Sequence, residues 1–341
     1  MNDESMTTAP WKGRRARDHI VDTLIAERAP KLSRTPIWPM LRPPLYALLG
    51  YRKARRFADE IAARGGRETL DLVSNLLNVR VQVTGIERIP RAGRIVVICN
   101  HPTSVTDGVA VYDAIKTVRP DIMFYVNADA LRVVPRLDEV VIPVEWMAHK
   151  RTREHMRGTL RRTREVMEAE QALMIFPAGQ LAERVRGHET ADTPWAPGAF
   201  AVARNHGAPI VPMHLTGPWS TLFHFFNGFS EELRDVTLFH EMLNKARGEF
   251  RLTVGPLIPA GSLPGDAAAT AMAMQVYVER ILPTHPDEPF DFAKATALSA
   301  DPVVAGSLRA IPSRVRRARR DRGPEKSPKA LRRPRPGGRC A

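Results

Sequence analysis

The sequence predicts an α/β fold: a central, mostly parallel mixed sheet flanked by helices, with an N-terminal helical segment before it and a disordered basic C-terminal tail after it. Three observations predict this. From Val79 onward short β-branched and apolar runs alternate with longer helix-periodic stretches, the pattern of strands joined by crossover helices. Before Val79, residues 45–65 and 67–78 read as two helices separated at Gly65-Gly66. After residue 306 the chain holds thirteen Lys and Arg against two acids among many Pro and Gly, a composition that cannot bury a core.

The expected strands are Val79–Thr84, Arg94–Cys99, Ile122–Val126, Val140–Pro143, Ala172–Phe176, Ile210–His214 and Phe250–Val254. Helices are expected near 15–28, 107–116, 150–170, 198–205, 230–247 and 266–282. The 150–170 stretch sets Met156, Leu160, Val166 and Met167 against many Arg and Glu, as an amphipathic surface helix does. The divisions that follow are a polar arm (1–35), a helical membrane-interface segment (36–78), the α/β domain (79–290), and a linker with the basic tail (291–341).

Composition narrows the function. An apolar fraction of 43% in 341 residues is enough for a folded core and excludes wholesale disorder. The net charge of +14 suggests nucleic acid until it is located: a surplus of eleven lies in residues 306–341, so the body is only mildly basic. Nucleic acid is therefore an unlikely partner, and attraction of the tail to an anionic membrane surface is its expected use. Cys99 and Cys340 supply neither a disulfide framework nor a zinc site, which suits a reducing compartment. Residues 1–35 are charged throughout and lack the apolar core of a secretory signal.

Pro36–Tyr51 is apolar but is shorter than the ~20 residues a bilayer span needs, and it contains Arg42 and four prolines. It reads either as an interfacial helix backed by Arg52, Lys53, Arg55 and Arg56, or as a helix packed on the core. With the reducing compartment that the cysteines suit, the first reading leads to the expectation of a cytoplasmic protein peripherally associated with the cytoplasmic face of the membrane.

The chemistry concentrates in Asn100-His101-Pro102-Thr103-Ser104-Val105-Thr106-Asp107-Gly108. The apolar strand ends at Cys99, Pro102 stops the ladder, and a helix begins near Asp107, so His101 and Asp107 face each other across one tight turn at the carboxyl end of a strand. A carboxylate on one imidazole nitrogen fixes the tautomer and leaves the other nitrogen to act as a general base. Taken singly, Asp107 suits a helix N-cap and His101 a plain strand end. A second apolar strand runs into Phe176-Pro177-Ala178-Gly179-Gln180, whose backbone N–H groups can face an oxyanion. A third strand, Pro209-Ile210-Val211-Pro212, lies between two prolines.

In this order and spacing, NHPTSVTDG, FPAGQ and APIVPMHLTG resemble the motif series of the lysophospholipid (glycerolipid) acyltransferase superfamily, the PlsC-like proteins, over roughly residues 79–260. The resemblance implies that His101 and Asp107 are catalytic and that Phe176–Gln180 binds the acceptor. It also implies a cation for the acceptor's phosphate, for which Lys150, Arg151 and Arg153 are the candidates. The implied reaction moves an acyl chain from acyl-CoA or acyl-acyl carrier protein to a hydroxyl of a lyso-lipid, with no metal, cofactor or covalent acyl-enzyme. Two features depart from the usual pattern. The spacing is His-x5-Asp where His-x4-Asp is usual, as in an Asn-His-Pro branch, and Ala178 stands where glutamate is typical.

Rival chemistries lack their residues. There is no Gly-x-Ser-x-Gly elbow, no phosphate-cradling Gly-x-x-x-x-Gly-Lys and no dinucleotide fingerprint. His240-Glu241-Met242-Leu243-Asn244 ends in asparagine where a zinc protease needs its second histidine. A catalytically inactive lipid-binding relative and a nucleic-acid-binding protein led by the tail remain as alternatives.

Overall fold

The computed structural model describes residues 18–103, 105–145, 150–179, 181–186 and 189–300. In chain order they form α1 (Ile20–Arg28), α2 (Trp38–Leu48), α3 (Tyr51–Ile61), α4 (Gly66–Leu77), β1 (Arg80–Thr84), β2 (Ile95–Cys99), α5 (Thr106–Ile115), β3 (Met123–Asn127), α6 (Asp129–Val133), β4 (Val141–Val144), α7 (Arg153–Glu168), β5 (Ala172–Ile175), β6 (Glu183–Arg186), β7 (Glu189–Ala191), α8 (Gly198–Asn205), β8 (Ile210–Thr216), α9 (Thr221–Asn227), α10 (Glu231–Val236), α11 (Leu238–Leu243), β9 (Glu249–Val254), α12 (Ala267–Val276) and α13 (Phe292–Ser299).

Every residue of β2 is buried, as expected of an apolar strand covered on both faces. Its alternation divides the core in two. Ile95, Val97 and Cys99 pack with Leu77 of α4 and Val109, Tyr112 and Ile115 of α5. Val96 and Ile98 point the other way, to Phe200 of α8 and Met274 of α12. Helices thus cover both faces of one seven-stranded sheet in the order β1-β9-β8-β2-β5-β3-β4. The run from β8 to β4 is parallel; β9 pairs antiparallel with β8, and β1 runs parallel to β9. The sheet is therefore mixed and mostly parallel, as the alternation of strand and helix patterns predicts.

Each of the seven expected strands is present within two residues at either end. The helices differ more. The expected 45–65 helix is two, because Gly50 adopts a left-handed conformation (φ 66°) between α2 and α3. The expected 230–247 helix is also two. The break falls at the buried Thr237, which follows α10 and precedes α11 and whose hydroxyl donates to the Arg234 carbonyl at 2.7 Å. The hairpin β6–β7 and helices α6, α9 and α13 were not expected. The Asp266 carboxylate caps α12 through the N–H groups of Ala268 and Ala269, and the helix then widens into a π-helical turn, Tyr277–Ile281. No helix among the described residues is long and apolar enough to cross a membrane. The basic run 306–341 lies outside the described residues.

One side chain completes the sheet where the backbone cannot. Asn100, buried just past β2, donates from Nδ2 to the Leu215 carbonyl at 2.9 Å and accepts the Leu215 N–H on Oδ1 at 2.7 Å, so its amide replaces a ladder pair between β2 and β8. Asn100→Ala would leave both backbone groups of the fully buried Leu215 unpaired. The expected destabilisation is about 2–4 kcal/mol, read as a lower urea midpoint at unchanged m.

Candidate active site

The turn after β2 holds the ring of His101 from both sides. Its Nδ1 lies 2.8 Å from Asp107 Oδ2, and its plane stacks on Phe176 with ring centroids 4.5 Å apart. Asp107 sits in the first turn of α5, where the helix dipole favours a carboxylate, but it does not cap that helix. Its carboxylate turns back into the loop instead. Oδ2 also accepts the Thr103 N–H at 2.9 Å, and Oδ1 accepts the Thr103 hydroxyl.

Asp107 is wholly buried while the His101 side chain is 16% exposed. A buried carboxylate that already accepts both Thr103 donors takes a further one from Nδ1–H, so the lone pair of the imidazole lies on Nε2. Nε2 has no protein partner among the described residues and is not sealed from solvent. The dyad expected from spacing is thus formed, with Thr103 as a component the sequence did not single out.

Phe176–Gly179 closes onto this turn. The Gly179 N–H donates to the Phe176 carbonyl at 3.0 Å, with Gly179 left-handed (φ 68°). That N–H is therefore spent on the turn. The Pro177 carbonyl accepts the Ala196 N–H at 2.9 Å and the Ala178 carbonyl accepts the Thr193 hydroxyl at 3.2 Å. The Ala178 N–H has no hydrogen-bond partner among the described residues. Gln180 lies outside the described residues, as does Ser104.

The basic candidates sit elsewhere on the sheet. Lys150 follows β4, three strands from β2, or ~14 Å at usual strand spacing. Its Nζ is held by Glu27 of α1 at 3.1 Å and by Asp129 of α6 at 3.8 Å, in a cluster where Arg132 keeps the Glu27 carboxyl below its ordinary range. Arg151 donates from Nε to the Glu145 carbonyl at 3.0 Å. Arg153 stands exposed at the start of α7 with no ion-pair partner among the described residues. None of the three hydrogen-bonds to the dyad.

Other groups that could compete for the chemistry are silenced by burial. The Cys99 thiol is pushed well above its ordinary value by burial and the fields of Asp107 and Asp192, so it stays protonated and is a poor nucleophile. Burial holds the His214 imidazole down at about 4, so it is uncharged near neutrality.

Behind the dyad lies a polar cluster with no counterpart in the sequence reading: Asp192, Trp195, Gln275 and Glu279. Burial, then the field of Glu279, pushes the Asp192 carboxyl well up, and burial pushes Glu279 to about 7. An acid whose folded pKa exceeds its unfolded one holds its proton more tightly in the native state. The stability it contributes is full below the ordinary carboxylate range, falls as pH rises, and is lost above about 7. Melting of wild type against Glu279→Gln should therefore show wild type losing about 3 kcal/mol relative to the variant between pH ~4.5 and ~7. Curves that stay parallel would refute this.

Residues 80–216 match the family model described as Acyltransferase. The chain is 26% identical over 201 residues to a lyso-glycine lipid O-acyltransferase of Phocaeicola vulgatus, covering 57% of this chain and 70% of that protein. It is 23% identical over 232 residues to a lyso-glycine lipid O-acyltransferase of Bacteroides thetaiotaomicron, covering 66% of this chain and 82% of that protein. The crystal structure of the 1-acyl-sn-glycerophosphate acyltransferase PlsC from Thermotoga maritima aligns with a TM-score of 0.43 at 16% identity, over 70% of this chain and 95% of that one. The matched segment begins at β1 and ends with β8, enclosing the His101–Asp107 turn and the Phe176–Gly179 turn, so the central part of the chain is similar to the acyltransferases that this family model describes.

Proposed function

We propose that the chain transfers a fatty acyl group from the thioester of acyl-CoA or acyl-acyl carrier protein to a hydroxyl of a lyso-lipid, with His101 as general base and Asp107 as its partner. The observation that carries this is the open Nε2 of a histidine whose Nδ1 is bound to a wholly buried aspartate. Nε2 takes the proton of the acceptor hydroxyl as its oxygen attacks the thioester carbonyl. The tetrahedral intermediate then collapses, the C–S bond breaks, and the imidazolium returns the proton to the thiolate. The Ala178 N–H is a backbone donor available to the oxyanion.

The acceptor's headgroup meets a turn with Ala178 in place of an acid, so a phosphate is one candidate among several. Arg153 is the basic candidate for which the described residues supply neither an ion pair nor a side-chain hydrogen bond. The names of the two relatives bring a lyso-glycine lipid into consideration beside lysophosphatidic acid. Purified protein with radiolabelled acyl-CoA or acyl-acyl carrier protein and a panel containing both acceptors should acylate at least one; acylation of none by either donor would refute the reading.

The surface supports work at a membrane. Met40 is 80% exposed on α2, with Ile37, Leu41 and Leu48 also exposed, and no residue of that helix is buried. Arg52, Lys53, Arg55 and Arg56 lie exposed on the following helix, α3. An apolar helix beside exposed cations fits the interface of an anionic bilayer, and the basic run 306–341 would add to that attraction. Met40→Asp with Leu41→Asp should weaken sedimentation with anionic vesicles about tenfold or more, while transfer to detergent-dispersed acceptor stays near wild type. Undiminished vesicle binding would remove the helix from this role.

A further inference from the structure

The main chain of His101 is held as closely as its ring. Its N–H lies within hydrogen-bonding distance of both oxygens of Asp192, at 3.1 and 3.2 Å, and its carbonyl accepts the Ala182 N–H at 2.9 Å. Asp192 follows β7, is 1% exposed, and is itself pinned on three sides. The Trp195 indole N–H donates to Oδ2 at 2.9 Å, the Asp192 N–H donates to Glu279 Oε1 at 2.7 Å, and the Asp192 carbonyl accepts Gln275 Nε2 at 3.0 Å. Gln275 closes the ring by accepting the Trp195 N–H on Oε1 at 3.2 Å.

A neutral carbonyl would satisfy a strand-end N–H at far smaller cost than a carboxylate buried beside a second carboxyl. The π-helical turn that carries Glu279 is also a rare local geometry that concentrates at functional sites. These features converge on one backbone N–H, that of the histidine.

We propose that Asp192 is a positioning residue for His101: by accepting its N–H it fixes the backbone from which the imidazole reaches Asp107, with Glu279, Gln275 and Trp195 holding Asp192 in place. This rests on the acyl-transfer reading above, in which Nε2 must meet the acceptor hydroxyl within hydrogen-bond reach. A displacement of the ring by about 1 Å costs on the order of a hundredfold in rate.

The test compares full-length Asp192→Ala and Asp192→Asn with wild type. Asp192→Ala should lower kcat by roughly thirtyfold to a hundredfold while KM for donor and acceptor changes by about twofold at most. Asp192→Asn keeps an oxygen for the N–H and should recover kcat to within about fivefold of wild type. A second readout needs no turnover. The low-field proton resonance of the His101 Nδ1–H, assigned by its absence in His101→Ala, should survive in Asp192→Asn and be lost to exchange in Asp192→Ala. If wild type transfers no acyl group, the acyl-transfer reading fails and the resonance still decides the role of Asp192.

Should Asp192→Ala not fold, Trp195→Phe removes the donor to Oδ2 and should lower kcat about tenfold at constant KM. The proposal is overturned if folded Asp192→Ala keeps wild-type kcat or an unaltered resonance, or if its loss lies in KM. Asp192→Asn as impaired as alanine overturns it as well, as does Trp195→Phe at wild-type kcat where alanine does not fold.

Discussion

Replacing His101 by alanine should lower kcat for acyl transfer about a thousandfold, within the ~10²–10⁴-fold that a positioned general base contributes and equal to about 4 kcal/mol of barrier. The loss should fall on kcat, because the imidazole acts on the hydroxyl proton while the acyl chain and headgroup make their contacts elsewhere. The fold should survive: the His101 ring is partly exposed, and its backbone bonds to Asp192 and Ala182 do not need the side chain. Initial rates at saturating donor and acceptor, beside a circular dichroism spectrum, make the comparison.

Asp107→Asn should be nearly as damaging, with a kcat loss of ~10²–10⁴-fold by the same logic that applies to other histidine–carboxylate pairs. The amide fits the space of the carboxylate, but its single oxygen cannot stand both at Oδ2, which accepts the Thr103 N–H and faces His101 Nδ1, and at Oδ1, which accepts the Thr103 hydroxyl. The amide is also neutral, so it no longer stabilises the imidazolium that forms when Nε2 takes the acceptor's proton. The variant would keep its packing and lose its function, so activity should fall while the melting temperature moves little. Asp107→Ala would instead leave the Thr103 donors unpaired in a buried site, confounding activity with stability.

The parts of this architecture legible in the sequence were those written by short-range rules. β2, β5 and β8 are apolar runs bounded by proline or a turn, and each lies within two residues of its expected place. The dyad was legible because both members lie on one turn, six residues apart. Long-range partners left no such trace. Asp192 lies 91 residues from His101 and follows the polar hairpin β6–β7, which has no apolar period to announce it.

Lys150 is one of three cations after a strand that the resemblance offers as candidates for the phosphate; its ion pair with Glu27, 123 residues earlier, exists only in the fold. The break at Thr237 between α10 and α11 is likewise not encoded in the helix periodicity of residues 230–247. The stacking of Phe176 on His101 lies between these cases. The motif marked Phe176 as belonging to the site, and only the structure shows that its ring lies against the imidazole.

The central claim is that His101, oriented by Asp107, removes the proton from a lyso-lipid hydroxyl. The most direct measurement is transfer of a radiolabelled acyl chain from its thioester to a lyso-lipid acceptor by folded wild type and folded His101→Ala under identical conditions. The account predicts labelled diacyl product from wild type and a rate about a thousandfold lower from the variant. Equal rates from the two proteins would contradict it.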